Sequence, residues 1–167
     1  MKAVILAAGK GKRLLPLTQE LPKGMIPLNG KPILQIIIEQ LKKVGVKKLI
    51  IIVHYCKEKI IDYFGDGHKF GVTISYVYQK EMKGTADAVL QAEPFITDDR
   101  FICIACDSLF EQGLLKRLLS HQSEGVITCK EVVDHQRYGI LRTKGNKVLE
   151  IVEKPELPPS KLANFSV

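Results

Sequence analysis

An apolar run, Ala3-Val4-Ile5-Leu6, passes directly into Ala7-Ala8-Gly9-Lys10-Gly11-Lys12-Arg13. Glycines and cations immediately after a strand are the ingredients of an anion site. Glycine lets backbone N–H groups approach phosphate oxygens, and neighbouring cations neutralise them. Leu6, Ala7, Ala8, Gly9, Lys10 and Gly11 are therefore candidate nucleotide-binding residues. The loop is not a Walker loop, because no G-x-x-x-x-G-K-[ST] run exists. It is not a dinucleotide fingerprint either, because Leu14 stands where the third glycine belongs.

Charge placement agrees with a polyanionic ligand. The formal charge is +7, and the first fifty residues hold ten Lys/Arg against two Asp/Glu. The remainder is close to neutral, with fifteen basic and sixteen acidic residues. A basic N-terminal third suits a triphosphate or a nucleic acid. Nucleic-acid readers interleave cations with aromatics, and these fifty residues contain no aromatic, so nucleic acid is excluded as a partner. Lys42, Lys43, Lys47 and Lys48 read as a solvated helix face.

Cys103 and Cys106 form a C-x-x-C inside the apolar run Phe101-Ile102-Cys103-Ile104-Ala105-Cys106. A redox pair opens a helix after a strand, and a zinc site needs a second pair of ligands. Neither context is present, so these are read as buried, inert thiols. No apolar run approaches bilayer length, and the first apolar stretch is too short for a signal peptide. The expectation is a cytoplasmic protein with no membrane partner.

The elements that must position these residues alternate. Residues 3–6 read as a buried strand and residues 7–31 as a loop rich in Gly, Pro and Lys. Pro32 suits a first helical turn, 33–44 a helix, and Gly45 its stop. Residues 48–53 read as a strand whose Leu49, Ile50, Ile51, Ile52 and Val53 are continuously apolar, as a parallel strand covered on both faces requires. A helix over 57–64, a strand over 72–79, a helix over 85–92 and a strand over 101–105 follow. Residues 109–121 read as a helix and 125–132 as a strand. Residues 138–143 and 147–153 read as a hairpin around Gly145-Asn146, residues 154–160 are extended, and a further strand begins near Ala163. This alternation implies a three-layer α/β domain with a mostly parallel sheet. Ligands in such sheets bind at the carboxyl ends of strands. The loop from Gly9 to Lys23, Gln79 with Gly84-Thr85, and Asp107 all fall at such ends.

Leu6 through Thr18 (LAAGKGKRLLPLT), Leu21-Pro22-Lys23 and Pro27-Leu28-Asn29-Gly30-Lys31-Pro32-Ile33-Leu34 together resemble the signature of sugar-1-phosphate nucleotidyltransferases. The likeness extends over the whole chain, to the glucose-1-phosphate thymidylyltransferase and sugar-1-phosphate uridylyltransferase types. It implies a Rossmann-like nucleotidyltransferase domain over residues 1–167. It implies transfer of a nucleotidyl group from dTTP or UTP to a sugar 1-phosphate such as glucose 1-phosphate, with release of pyrophosphate. By resemblance Arg13 holds the departing pyrophosphate, and Lys23 contacts the α-phosphate and the attacking group. The planar fork of Arg suits the first task, and the point charge of Lys suits the second. Gln79, Gly84 and Thr85 correspond to the base-recognition residues, with the Gln amide offering donor and acceptor to uracil or thymine. Asp107 corresponds to the catalytic aspartate that binds Mg2+, although Cys106 precedes it where the family usually has Gly. Gly139, Glu153, Lys154 and Asn164 correspond to residues that hold the sugar and its phosphate.

Simpler roles exist for several of these positions. Thr85 suits a helix cap, and Asp107 suits the N-cap of the following helix. Two other functions stay open: a non-catalytic relative that binds nucleotide sugars, and transfer to a non-sugar phosphate. Arg13, Lys23 and Asp107 together favour an enzyme, and Gly139, Glu153, Lys154 and Asn164 favour a sugar. Family domains continue past a position like Val167, so the resemblance implies that the C-terminal part is missing. An open sheet edge would then invite a homo-oligomer. The expectation is a chain that binds nucleotide weakly and turns over poorly, which a normal rate in a turnover assay on the 167-residue protein would refute.

Overall fold

A computed structural model describes residues 1–111 and 113–165. The chain divides into two compact units, Met1–Ser120 and His121–Val167. The first contains β1 (Lys2–Ala7), β2 (Pro27–Leu28), β3 (Lys31–Pro32), α1 (Ile33–Lys43), β4 (Lys48–Val53), α2 (Lys57–Phe64), β5 (Thr73–Tyr78), α3 (Thr85–Leu90), β6 (Phe101–Ala105) and α4 (Leu114–Ser120). The second contains β7 (Thr128–Glu131), β8 (Gly139–Lys144), β9 (Lys147–Glu153) and β10 (Leu162–Phe165).

In the first unit four strands pair in the order β5-β4-β1-β6. All three pairings are parallel, with Ile5 beside Ile51 and Ile104 in the registers of β4 and β6. The continuous apolar sequence of β4 has its physical reason here, because Leu49, Ile50, Ile51, Ile52 and Val53 are all buried. Val4, Ile50, Ile52 and Val77 pack on one face with Ala8, Ala88 and Ala92. Alternate residues of a strand point to opposite faces, and Ala3, Ile5, Leu49 and Ile51 are equally buried. Burial on both faces is the covering that the sequence pattern implies. α1 contributes Leu34, Ile37, Ile38 and Leu41, the spacing of one helical face.

The second unit is a four-stranded antiparallel sheet in the order β7-β10-β8-β9. β8 and β9 form the expected hairpin through Gly145-Asn146, with Gly145 at a left-handed φ of 57°. β10, which reads as the start of a strand, lies inside this sheet between β7 and β8, and Ser166 and Val167 fall outside the described residues.

Some boundaries differ from the sequence reading. The loop over 7–31 contains a short ladder of β2 with β3, turned by Asn29 and Gly30 at φ 50° and 76°. Asn-Gly with both residues left-handed is the favoured two-residue hairpin turn. Pro32 precedes α1 in extended backbone instead of opening it. The helix expected over 109–121 begins only at Leu114, directly after Gly113, and Gln112 lies outside the described residues. The strand expected over 125–132 is confined to Thr128–Glu131.

Ile51 is fully buried in a central strand. Ile51→Ala is expected to lower stability by about 2–5 kcal/mol, measured by urea denaturation, because a packed sheet interior closes poorly around a cavity.

Candidate functional site

The loop after β1 is held by a close approach. Gly11 has a φ of +65°, and a Cβ there would lie 2.8 Å from both Lys23 Cγ and Thr18 Cγ2. No larger residue fits without displacing Lys23. Thr18 is 1% exposed, and its hydroxyl donates to Gly11 O at 2.8 Å. Residues 12–17 therefore form a loop closed at its base, and Arg13 is exposed within its 3-10 turn, Lys12–Leu14. Lys23 opens a second turn, Lys23–Met25, and its Nζ pairs with Asp107 Oδ2 at 3.0 Å.

Gly24 brings this loop onto the end of β6. A Cβ on Gly24 would meet Cys106 Cβ and Leu34 Cβ at 3.2 Å. Cys106 N donates to Leu6 O at 3.1 Å, extending the β1–β6 ladder by one step. The Cys106 side chain is 5% exposed, and burial, with the neighbouring Asp107 charge, pushes its thiol up to about 12. Burial also raises the Cys103 thiol. The expected inert pair is thus accounted for, and Cys106 is buried against Gly24. Asp107 does not cap α4, which starts at Leu114.

At the end of β5, Gln79 is 3% exposed. Its Nε2 donates to Asp87 Oδ2 at 2.6 Å and to Gly84 O at 3.3 Å. His54 Nδ1, from the end of β4, donates to the Gln79 backbone carbonyl at 2.7 Å. The His54 ring stacks on Tyr78, with centroids 5.5 Å apart. Gly84 has a φ of +105°, and open space lies where its side chain would be. Thr85 opens α3 without any side-chain capping bond, which sets aside its simpler role. Leu6, Ala7 and Ala8 run from the last residues of β1 into this edge, with Gly9 and Lys10 exposed beyond them.

The second unit gathers its own candidates. A Cβ on Gly139 would meet Asn164 Oδ1 at 2.9 Å and Glu153 Oε2 at 3.1 Å. Gly139 pairs with Glu153 in the β8–β9 register, and Asn164 follows Ala163, the partner of Ile140. Two side-chain oxygens therefore converge over a residue that must lack a side chain. Lys154 has a φ of 46°, rare for a residue with a Cβ, and its N–H donates to Tyr138 O at 3.0 Å. Its Nζ stands 3.8 Å from Glu153 Oε1, in an exposed pair.

Among the described residues no group of three or more His, Cys, Asp or Glu side chains could hold a metal. Beside Lys23, just beyond β6, Asp107 offers one carboxylate. That set fits only a hard cation whose other ligands come from phosphate and water, which is how Mg2+ is commonly held. No helix among the described residues is long and apolar enough to cross a membrane. Sequence reasoning missed Thr18 and Asp87. Thr18 closes the quoted motif, so its position was visible. Asp87 carried no signal beyond its place near Gly84.

The family model for nucleotidyl transferases matches residues 2–167. The UTP–glucose-1-phosphate uridylyltransferase AglF of Haloferax volcanii is 42% identical over 97% of this chain and 68% of its own length. The bifunctional protein GlmU of Methanocaldococcus jannaschii is 42% identical over the whole chain, which spans 39% of that relative. The crystal structure of a UDP-glucose pyrophosphorylase complexed with UDP-glucose superposes with a TM-score of 0.84 at 29% identity, covering 99% of this chain and 73% of that one.

The thiols give a direct check on the strand-end geometry. Burial raises the Cys106 thiol to about 12, well above the ordinary thiol range, and the thiolate is the reactive form. Ellman's reagent at pH 8 is expected to label exposed Cys129 in the native protein and Cys106 only after unfolding. Gly11→Ala is expected to retain the fold while lowering affinity for a nucleoside triphosphate, read by calorimetric titration, because the new Cβ displaces Lys23.

Proposed function

The chain belongs to the nucleotidyl transferase family, and from that premise we propose that it serves the transfer of a nucleotidyl group from UTP or dTTP to a sugar 1-phosphate, with glucose 1-phosphate as the favoured acceptor. The observation that carries the reading is Lys23 paired with Asp107 at 3.0 Å, its stem packed against Gly11, where a Cβ would not fit. A cation and a carboxylate together at strand ends serve phosphoryl chemistry, which depends on positioning and charge stabilisation more than on proton transfer.

The acceptor phosphate is already ionised near neutral pH. One of its oxygens forms a bond to the α-phosphorus as the bond to the β-phosphate oxygen breaks, and pyrophosphate leaves with the electron pair. Arg13 offers an exposed planar fork for the departing charge. Lys23 neutralises the α-phosphate and brings in the attacking group. Asp107 would hold Mg2+, which supplies charge neutralisation on the phosphate oxygens. Gln79 and Gly84 take the base, with Gly84 leaving open space beside it. In the second unit, Glu153 and Asn164 accept from sugar hydroxyls above Gly139, and Lys154 holds the sugar phosphate.

Titration with UTP and dTTP, followed by pyrophosphate release over a panel of sugar 1-phosphates with Mg2+, tests this reading. Arg13→Ala and Lys23→Ala are each expected to reduce the rate by about 10²–10³, the usual effect of losing one preorganised charge-stabilising group. A chelator is expected to abolish release. Unchanged affinity and rate in both variants would remove the assignment.

A further inference from the structure

We propose that Asp87 is a positioning residue that fixes which half of the Gln79 carboxamide faces the nucleobase, and thereby makes the site select a base carrying an N–H on its pairing edge. This rests on the assignment of Gln79 to base recognition. A free carboxamide can turn over and present either its N–H or its oxygen. Gln79 cannot do so. Its nitrogen faces two groups that only accept, the Asp87 carboxylate at 2.6 Å and the Gly84 carbonyl at 3.3 Å. Turning the amide over would set Oε1 against both, with two acceptors in contact at the Asp87 distance. Burial removes the water that would soften that repulsion, since Gln79 is 3% exposed. The backbone is fixed as well, because His54 Nδ1 holds the Gln79 carbonyl at 2.7 Å.

The amide therefore offers a ligand only its Oε1. An acceptor in a desolvated place favours a donor and penalises another acceptor. Uracil and thymine present N3–H. Cytosine presents an unprotonated N3 at the same point, and its amino group replaces the adjacent carbonyl. The open face of Gly84, at the start of the helix that carries Asp87, gives a base room to approach this oxygen.

Asp87→Asn is nearly isosteric and carries both a donor and an acceptor, so it releases the lock without removing the contact. The readout is the ratio of UTP to CTP dissociation constants, from calorimetric titration of the full chain. A merely structural role would weaken both nucleotides together and leave the ratio unchanged. The expected result is a preference for UTP in the parent chain that falls by roughly tenfold or more in Asp87→Asn. In the parent chain, N3-methyl-UTP is expected to bind more weakly than UTP by a similar factor, a measurement independent of whether the variant folds. A folded Asp87→Asn with the parental ratio, or equal affinity for UTP and N3-methyl-UTP, overturns the inference and leaves the nucleotide reading standing. Failure of the parent chain to bind either UTP or CTP overturns the nucleotide reading, and this inference with it.

Discussion

There is no room for a Cβ on Gly11, and the arrangement of the loop after β1 depends on that closeness. Because Gly11 is bare and left-handed, the stem of Lys23 and the methyl of Thr18 can both lie against it. The Thr18 hydroxyl then closes the loop base through a buried bond to Gly11 O. Gly24 makes the next approach, onto Cys106, and Lys23 is left within reach of Asp107. The ion pair itself is about one-third exposed on both partners, so its contribution to stability is small. Its importance is positional, because it ties the loop after β1 to the residue just beyond β6.

The large features of the first unit were legible because burial leaves a strong pattern. β4 is apolar from Leu49 to Val53 because both faces are covered, and α1 shows one apolar stripe because only one face is. Boundaries were less legible where the pattern competed with single residues. The leucines of 114–119 continue a helical rhythm from Leu109, yet Gly113 breaks it and Leu109 is exposed. The Asn29-Gly30 turn was masked by the glycines, prolines and lysines around it, which all read as loop. Thr18 and Asp87 were hidden for another reason. Their bonds join residues seven and eight positions apart across loop backbone, and no helical or strand period marks such a separation.

The second unit shows how a register brings separate motifs into one cluster. Gly139, Glu153 and Asn164 stand in three short segments of sequence. The antiparallel order β7-β10-β8-β9 brings them side by side, and Cys129 opposite Asn164 extends the same row. The two oxygens over Gly139 explain why a residue without a side chain is required there. Lys154 adds an unfavoured backbone conformation next to Glu153. Strain of this kind persists when its surroundings hold it, and here the Tyr138 carbonyl does. An unfavoured backbone beside converging polar atoms marks this end of the hairpin as a place shaped by something other than packing.

A residue type states which atoms are available, and a fold decides which of them are already used. Gln79 has a donor and an acceptor by composition, but Asp87 and Gly84 take its donor. Cys106 has a nucleophile by composition, but burial keeps it protonated. Thr85 has a capping hydroxyl by composition, but α3 does not use it. Lys23 shares its charge with Asp107, whereas the guanidinium of Arg13 lies exposed in its turn. The excess of cations in the first fifty residues is therefore not one uniform field. Most of it is solvated surface, and Lys23 is the cation that packing against Gly11 holds in place. That distinction separates a solvated cation from a positioned one, and the loop geometry makes it where the charge count does not.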